Sequence, residues 1–145
     1  MIIDAHVKTL ELIFKYARAI RDAVNDERAA REAKCHGKDP TGETAVVKAM
    51  PISRVRVATN KGVFIIEKPE KWLEVVTEVY TAYSNHPICN MARLRLEQKR
   101  SPAALAELMG ISRERYYGWY REFLRDAVFV ASEKGLLKKT PKNKM

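Results

Sequence analysis

Residues 112–121 read Ser-Arg-Glu-Arg-Tyr-Tyr-Gly-Trp-Tyr-Arg. On a helix that begins after Ser112, the residues Arg113, Glu114, Tyr117, Gly118 and Arg121 share the outward side. The planar fork of an arginine matches the O6 and N7 acceptors of guanine. Glu114 accepts from a cytosine amino group or orients a neighbouring arginine, and Tyr117 suits a phosphate or a thymine methyl. Gly118 lets the backbone come close to a groove, and Ser112 with the helix N-terminus suits a phosphate. The expected site is therefore Arg100, Ser112, Arg113, Glu114, Arg115, Tyr117, Gly118 and Arg121, and its expected chemistry is non-covalent recognition of double-stranded DNA. An ordinary solvated helix face accounts for the same residues without a ligand.

The elements that must hold this face are legible on both sides of it. Ser101 caps a first helix, and Pro102 sits in its first turn, where a missing N–H costs nothing. Gly110 supplies a turn that a side chain would resist, and Ser112 caps a second helix. Leu105, Met109, Ile111, Tyr116 and Trp119 fall inward. This is the pattern of a helix-turn-helix, whose second helix enters the major groove. That helix continues to about Lys134, with Tyr116, Trp119, Phe123, Ala127, Val130 and Ala131 on one side, and Gly135 ends it.

Upstream, Ile3, Val7, Leu10, Phe14, Ala17, Ile20 and Val24 recur every three or four residues and predict one helix over 3–34, its tail (NDERAAREAK) solvated. Residues 35–42 read as a loop and 43–50 as a short helix stopped by Pro51. A β-hairpin follows, with ISRVRVA and VFIIE flanking Thr59-Asn60-Lys61-Gly62. Val55 and Val57 face inward, and Arg54 and Arg56 outward. Arg54, Arg56 and Lys61 then form either a basic wing or simply a solvated face. Pro69 opens a helix to about Tyr83, with Trp72, Val75, Val76, Val79 and Tyr80 inward. After Asn85-His86-Pro87, another helix runs to about Lys99 and carries Arg93 and Arg95. Arg93 and Lys99 suit the DNA backbone or are plain exposed positions.

The 145 residues carry a formal charge of +9. Residues 1–85 hold 14 basic and 12 acidic residues, whereas residues 86–145 hold 13 and 6. The excess thus lies with the helix-turn-helix pattern and favours a polyanionic partner. Lys138, Lys139, Lys142 and Lys144 form a basic tail suited to salt-sensitive contacts or to solubility alone. No apolar run is long enough to span a membrane, and Asp4 and Glu11 interrupt any signal-peptide pattern. Two cysteines make no disulfide framework, so a cytoplasmic protein is expected.

No catalytic constellation stands out, and the expectation is a protein that is not an enzyme and uses no cofactor or metal. Cys35-His36 is an adjacent pair, and His86-Pro-Ile-Cys89 lacks the spacing of strong zinc sites. Cys89 reads as a core residue and His6 as structural. Gly37 to Gly42 lacks the Gly-Lys-Ser/Thr ending of a phosphate loop.

The segment ALAELMGISRERYYGWYREFLRDAVFVASEKG, residues 104–135, resembles the C-terminal end of phage-encoded transcriptional regulators of the ArpU and RinA type. Those proteins have a sigma-factor region 4-like helix-turn-helix with an apolar-Gly-Ile-Ser run, an arginine-rich helix start and paired aromatics. Met109-Gly110-Ile111-Ser112-Arg113 and Tyr116-Tyr117 match that pattern. The resemblance implies control of late phage genes in a bacterial cytoplasm, with RNA polymerase open as a second partner. A homodimer is expected, because a single helix in one groove rarely yields enough affinity. Two alternatives remain: a small-terminase-like subunit that recognises DNA for packaging, and a helical interaction protein that pairs through its first helix. The expected fold is mainly α, a helical bundle with a C-terminal helix-turn-helix and one small β-hairpin. Residues 1–85 form its N-terminal region, open to an oligomerisation role, 86–137 the DNA-binding domain and 138–145 the tail.

Overall fold

A computed structural model describes residues 4–35 and 50–137. Six helices and one hairpin follow in order among them: α1 (Asp4–Lys15), α2 (Ala17–Cys35), β1 (Arg54–Thr59), β2 (Gly62–Glu67), α3 (Pro69–Ala82), α4 (Ile88–Leu96), α5 (Pro102–Met109) and α6 (Arg113–Glu133). The fold is mainly helical with a single small antiparallel sheet, as the sequence predicts. No helix among the described residues is long and apolar enough to cross a membrane. The expected loop over 35–42, the short helix over 43–50 and the lysine tail lie wholly or mostly outside the described residues.

By their internal contacts the described residues divide into two compact units, those within 17–73 and those within 1–16 and 74–145. The long first helix read from the sequence is two helices, interrupted at Tyr16. The apolar stripe runs on through the break, with Leu10, Phe14, Ala17, Ile20 and Val24 all buried. Its two halves belong to different units: α1 packs on α6, and α2 packs on β1. A periodicity that serves two separate cores therefore reads as one helix.

In the unit of residues 17–73, β1 and β2 pair antiparallel with Val55 opposite Ile66 and Val57 opposite Phe64. Val55, Val57 and Ile66 are buried. The pleat puts Arg54, Arg56 and Ala58 on the other face, opposite Glu67, Ile65 and Val63, all of them exposed. Gly62 takes the positive φ of 127° that closes the turn after Asn60-Lys61. The Thr59 hydroxyl supports this turn, accepting from Lys61 N and donating to the Gly62 carbonyl.

The tail of α2 departs from its expected solvation. Arg28 donates to Glu70 at 2.7 Å and to the Met50 carbonyl at 3.1 Å, and Arg31 donates to the same carbonyl at 2.7 Å. Glu70 stands in the first turn of α3 and accepts from the Ile52 amide as well. Burial acts to raise the Glu70 pKa. The bonds from Arg28 and Ile52 and the charges of Arg28 and Arg31 outweigh it, so the carboxyl titrates below its ordinary 4.5.

A depressed folded pKa contributes stability that is present above pH 4.5 and is lost as pH falls through the folded value. Partial exposure screens the pair, so Glu70→Gln should lower stability near neutrality by about 1 kcal/mol. Thermal melts followed by circular dichroism between about pH 3 and pH 7 should show the wild type and variant converging on acidification. Parallel curves over that range would exclude this role for Glu70.

Candidate functional site

The second unit holds α1, most of α3, and α4 to α6. Phe14, Tyr80, Tyr83 and Phe123 meet at centroid separations between 5.3 and 5.7 Å, mostly edge to face. Tyr83 also donates a hydrogen bond to Asp126. Burial and then that carboxylate push the Tyr83 phenol above its ordinary range. Lys134 pairs with Glu78 at 3.0 Å and ties the far end of α6 to α3.

The near end of α6 is set by local chemistry. Ser101 accepts from the Ala104 amide at 3.1 Å, with Pro102 beside it, and caps α5. Gly110 ends α5 in the left-handed region, at φ 67° and ψ 33°. The Ile111 amide reaches back to the Ala106 carbonyl and the Gly110 amide to that of Glu107, which closes a Schellman turn. Ser112 accepts from the Arg115 amide at 3.1 Å and caps α6. Every capping residue expected from the sequence is in place. Leu105 is buried as expected, while Met109 and Ile111 are half-buried.

The inward side of α6 differs in part from its sequence reading. Tyr116, Phe123, Ala127 and Ala131 are buried as expected, but Tyr120, Leu124 and Val128 are buried too. Trp119 and Val130 are only half-buried. The helix buries positions four residues apart, and Trp119 lies at the margin of that stripe, 4.8 Å edge-on from the His86 ring. Tyr116 and Tyr120 stack at 5.8 Å, with their planes 15° apart. The Arg95 guanidinium lies 4.5 Å from the centre of the Tyr120 ring and donates to the Tyr116 hydroxyl at 3.3 Å. Tyr120 in turn donates to Glu11 on α1 at 2.8 Å. Burial, reinforced by the Glu11 carboxylate, pushes the Tyr120 phenol far above its usual range.

With that side fixed, the expected site residues fall outward. Ser112, Arg113, Glu114, Arg115, Tyr117 and Arg121 are all exposed, and Tyr117 keeps 42% of its surface open. Gly118 is half-buried, and a methyl group built on it would meet no atom within 4 Å. None of the arginines at 113, 115 and 121 forms an ion pair among the described residues. Tyr117 and Arg121 line a groove of about 810 Å³ whose opposite wall is α1, at Asp4, Val7 and Glu11. Arg100 is not brought to this groove. It is exposed on the α4–α5 connection and lines a second groove of about 540 Å³ with Lys8, Lys15 and Lys99. The two grooves share Glu11 and Arg95.

No family model, curated protein or solved structure matches the chain. The arrangement offers exposed cations and hydroxyls around the start of α6. Cys89 is buried and directs its thiol to the Tyr80 carbonyl at 3.7 Å, and His86 Nδ1 accepts from the Ile88 amide at 3.0 Å. Among the described residues no three His, Cys, Asp or Glu side chains gather as a metal site; His36 lies outside them. Sequence reasoning missed Lys8, Glu11, Lys15 and Tyr120. The partners that bring them to the site lie far off in sequence, and no local pattern signals them.

Gly110 and Gly118 separate two kinds of glycine. Gly110→Ala should destabilise by about 1 kcal/mol, because only its positive φ resists the new methyl. Gly118→Ala should stabilise by about 1 kcal/mol, since an ordinary helix interior favours alanine. Urea denaturation of both variants checks this, and the same sign of change in the two would contradict it.

Proposed function

We propose that this protein binds double-stranded DNA sequence-specifically by placing the first half of α6 in the major groove. The observation that carries the reading is the row of exposed, unpaired arginines around Gly118 on a helix whose opposite side is fixed by Tyr116 and Tyr120. A mid-helix glycine costs roughly 1 kcal/mol relative to alanine. Nothing within the described residues crowds position 118. A close approach from outside accounts for the absence of a side chain there. Arg113 and Arg121 are assigned to base edges, Arg115 and Ser112 to phosphates, Glu114 to a base amino group or to holding Arg113, and Tyr117 to a phosphate or a thymine methyl. The α1 wall beside Tyr117 and Arg121 favours entry by the Arg113 end of the helix.

The proposal extends to the biological role. The resemblance of residues 104–135 to ArpU- and RinA-type regulators supports transcriptional control of late phage genes in a bacterial cytoplasm, with RNA polymerase as a second partner. A homodimer supplies the second half-site that one recognition helix requires. The action is binding, not catalysis, and draws on no cofactor.

Duplexes selected from a random pool by the full-length protein supply the test, with binding read by fluorescence anisotropy. Arg113→Ala and Arg121→Ala should each weaken the selected site by about 1–3 kcal/mol and reduce its preference over random duplex, with unfolding unchanged. Gly118→Leu should weaken binding as well, without loss of fold. Unaltered affinity in both arginine variants would overturn the assignment of α6.

A further inference from the structure

We propose that the second groove, between α1 and the α4–α5 connection, seats the phosphodiester backbone of one DNA strand, so that α1 is part of the DNA interface. This rests on the reading of α6 given above and adds Lys8 and Lys15 to it. Five cations line this groove: Lys8 and Lys15 on α1, Arg95 on α4, and Lys99 and Arg100 on the connection. Its one acid is Glu11, whose Oε2 is already engaged by the Tyr120 hydroxyl. Lys8, Lys99 and Arg100 are exposed and form no ion pair among the described residues. Like charges gathered in this way repel one another, and a polyanion relieves the repulsion.

The layout favours a backbone over a single small anion. Lys8 and Lys15 are two turns apart on α1, about 10 Å along its axis. That is the rise of about three nucleotides of one strand. The Lys15 ammonium is oriented by the Tyr16 ring, at 5.4 Å from its centre. Through Glu11 and Arg95 the groove is continuous with the one lined by Tyr117 and Arg121. A duplex presented to α6 therefore has a cationic track beside it.

Lys99 provides a test that separates binding from folding. It occupies the left-handed region at φ 55°, where glycine is favoured. Lys99→Gly should leave the melting temperature unchanged or raised, yet weaken DNA binding. Lys68, at φ 51° in the other unit, is the control: Lys68→Gly should behave alike in melting and leave DNA binding unchanged.

The experiment is a salt titration of the full-length protein on one selected and one random duplex. Each phosphate contact removed should lower the slope of log K against log salt by about 0.9. The double variant Lys8→Gln, Lys15→Gln should lose about 2 in slope, and Lys99→Gly about 1, equally on both duplexes. Wild-type binding with unchanged slopes in these variants overturns the groove and leaves α6 standing. Reduced slopes alongside unaltered affinity in Arg113→Ala and Arg121→Ala support the groove and overturn α6. Failure of the wild type to bind either duplex at low salt overturns both.

Discussion

Arg95 lies against two stacked tyrosines, gives a hydrogen bond to one, and faces the ring of the other. The second tyrosine passes a hydrogen bond on to Glu11, so a guanidinium, two phenols and a carboxylate join α4, α6 and α1. A desolvated contact between arginine and an aromatic face contributes up to about 2 kcal/mol, and a hydrogen bond to a charged group about 1.5–3 kcal/mol. These contacts fix the rotation of α6 about its own axis. Once Tyr116 and Tyr120 are committed inward, Arg113, Tyr117 and Arg121 have no direction left except toward solvent. The outward chemistry of this helix is a consequence of its inward packing.

The two ends of α6 are held by different means. Near Ser112 the restraint is backbone chemistry, in a Schellman turn followed by a hydroxyl cap. Toward Glu133 it is side-chain packing, through Phe123, Ala127 and Ala131 and the pair of Lys134 with Glu78. The polar, capped end is the one that carries the exposed arginines. Its position is set without burying them, and they remain free of ion pairs among the described residues.

What could be read from the sequence follows the range of the forces involved. Ser101, Gly110, Ser112 and Gly135 act within a few residues of themselves, and each marked its helix end correctly. The hairpin was legible because alternation and a glycine turn are also local. The helix after Pro87 ends at Leu96, short of the Lys99 that its sequence suggests, since nothing local in Glu97 and Gln98 announces the left-handed turn at Lys99. The break at Tyr16 was hidden because one apolar stripe serves two cores. The bonds of Arg28 and Glu70, and of Arg95 and Tyr120, were out of reach, since their partners stand tens of residues apart. On α6 the periodicity marks Tyr116, Phe123, Ala127 and Ala131 as inward, but it does not reach Tyr120, Leu124 and Val128, and it includes the half-buried Trp119 and Val130. Periodicity alone does not separate adjacent aromatics such as Trp119 and Tyr120 at the edge of a stripe.

The hairpin carries a consequence for solubility. Among the described residues neither outer rim of the two-stranded sheet pairs with a further strand, and β2 presents Val63 and Ile65 to solvent. Strand stretches as apolar as Val63 to Ile66 tend to recruit further strands. Arg54 and Arg56 stand across from Glu67 and Ile65 on the same face, and Lys61 and Lys68 close the two ends of β2. These charges act as gatekeepers against ribbon-to-ribbon stacking. Arginines that would serve equally well in a basic wing thus have a sufficient occupation in keeping the molecule dispersed.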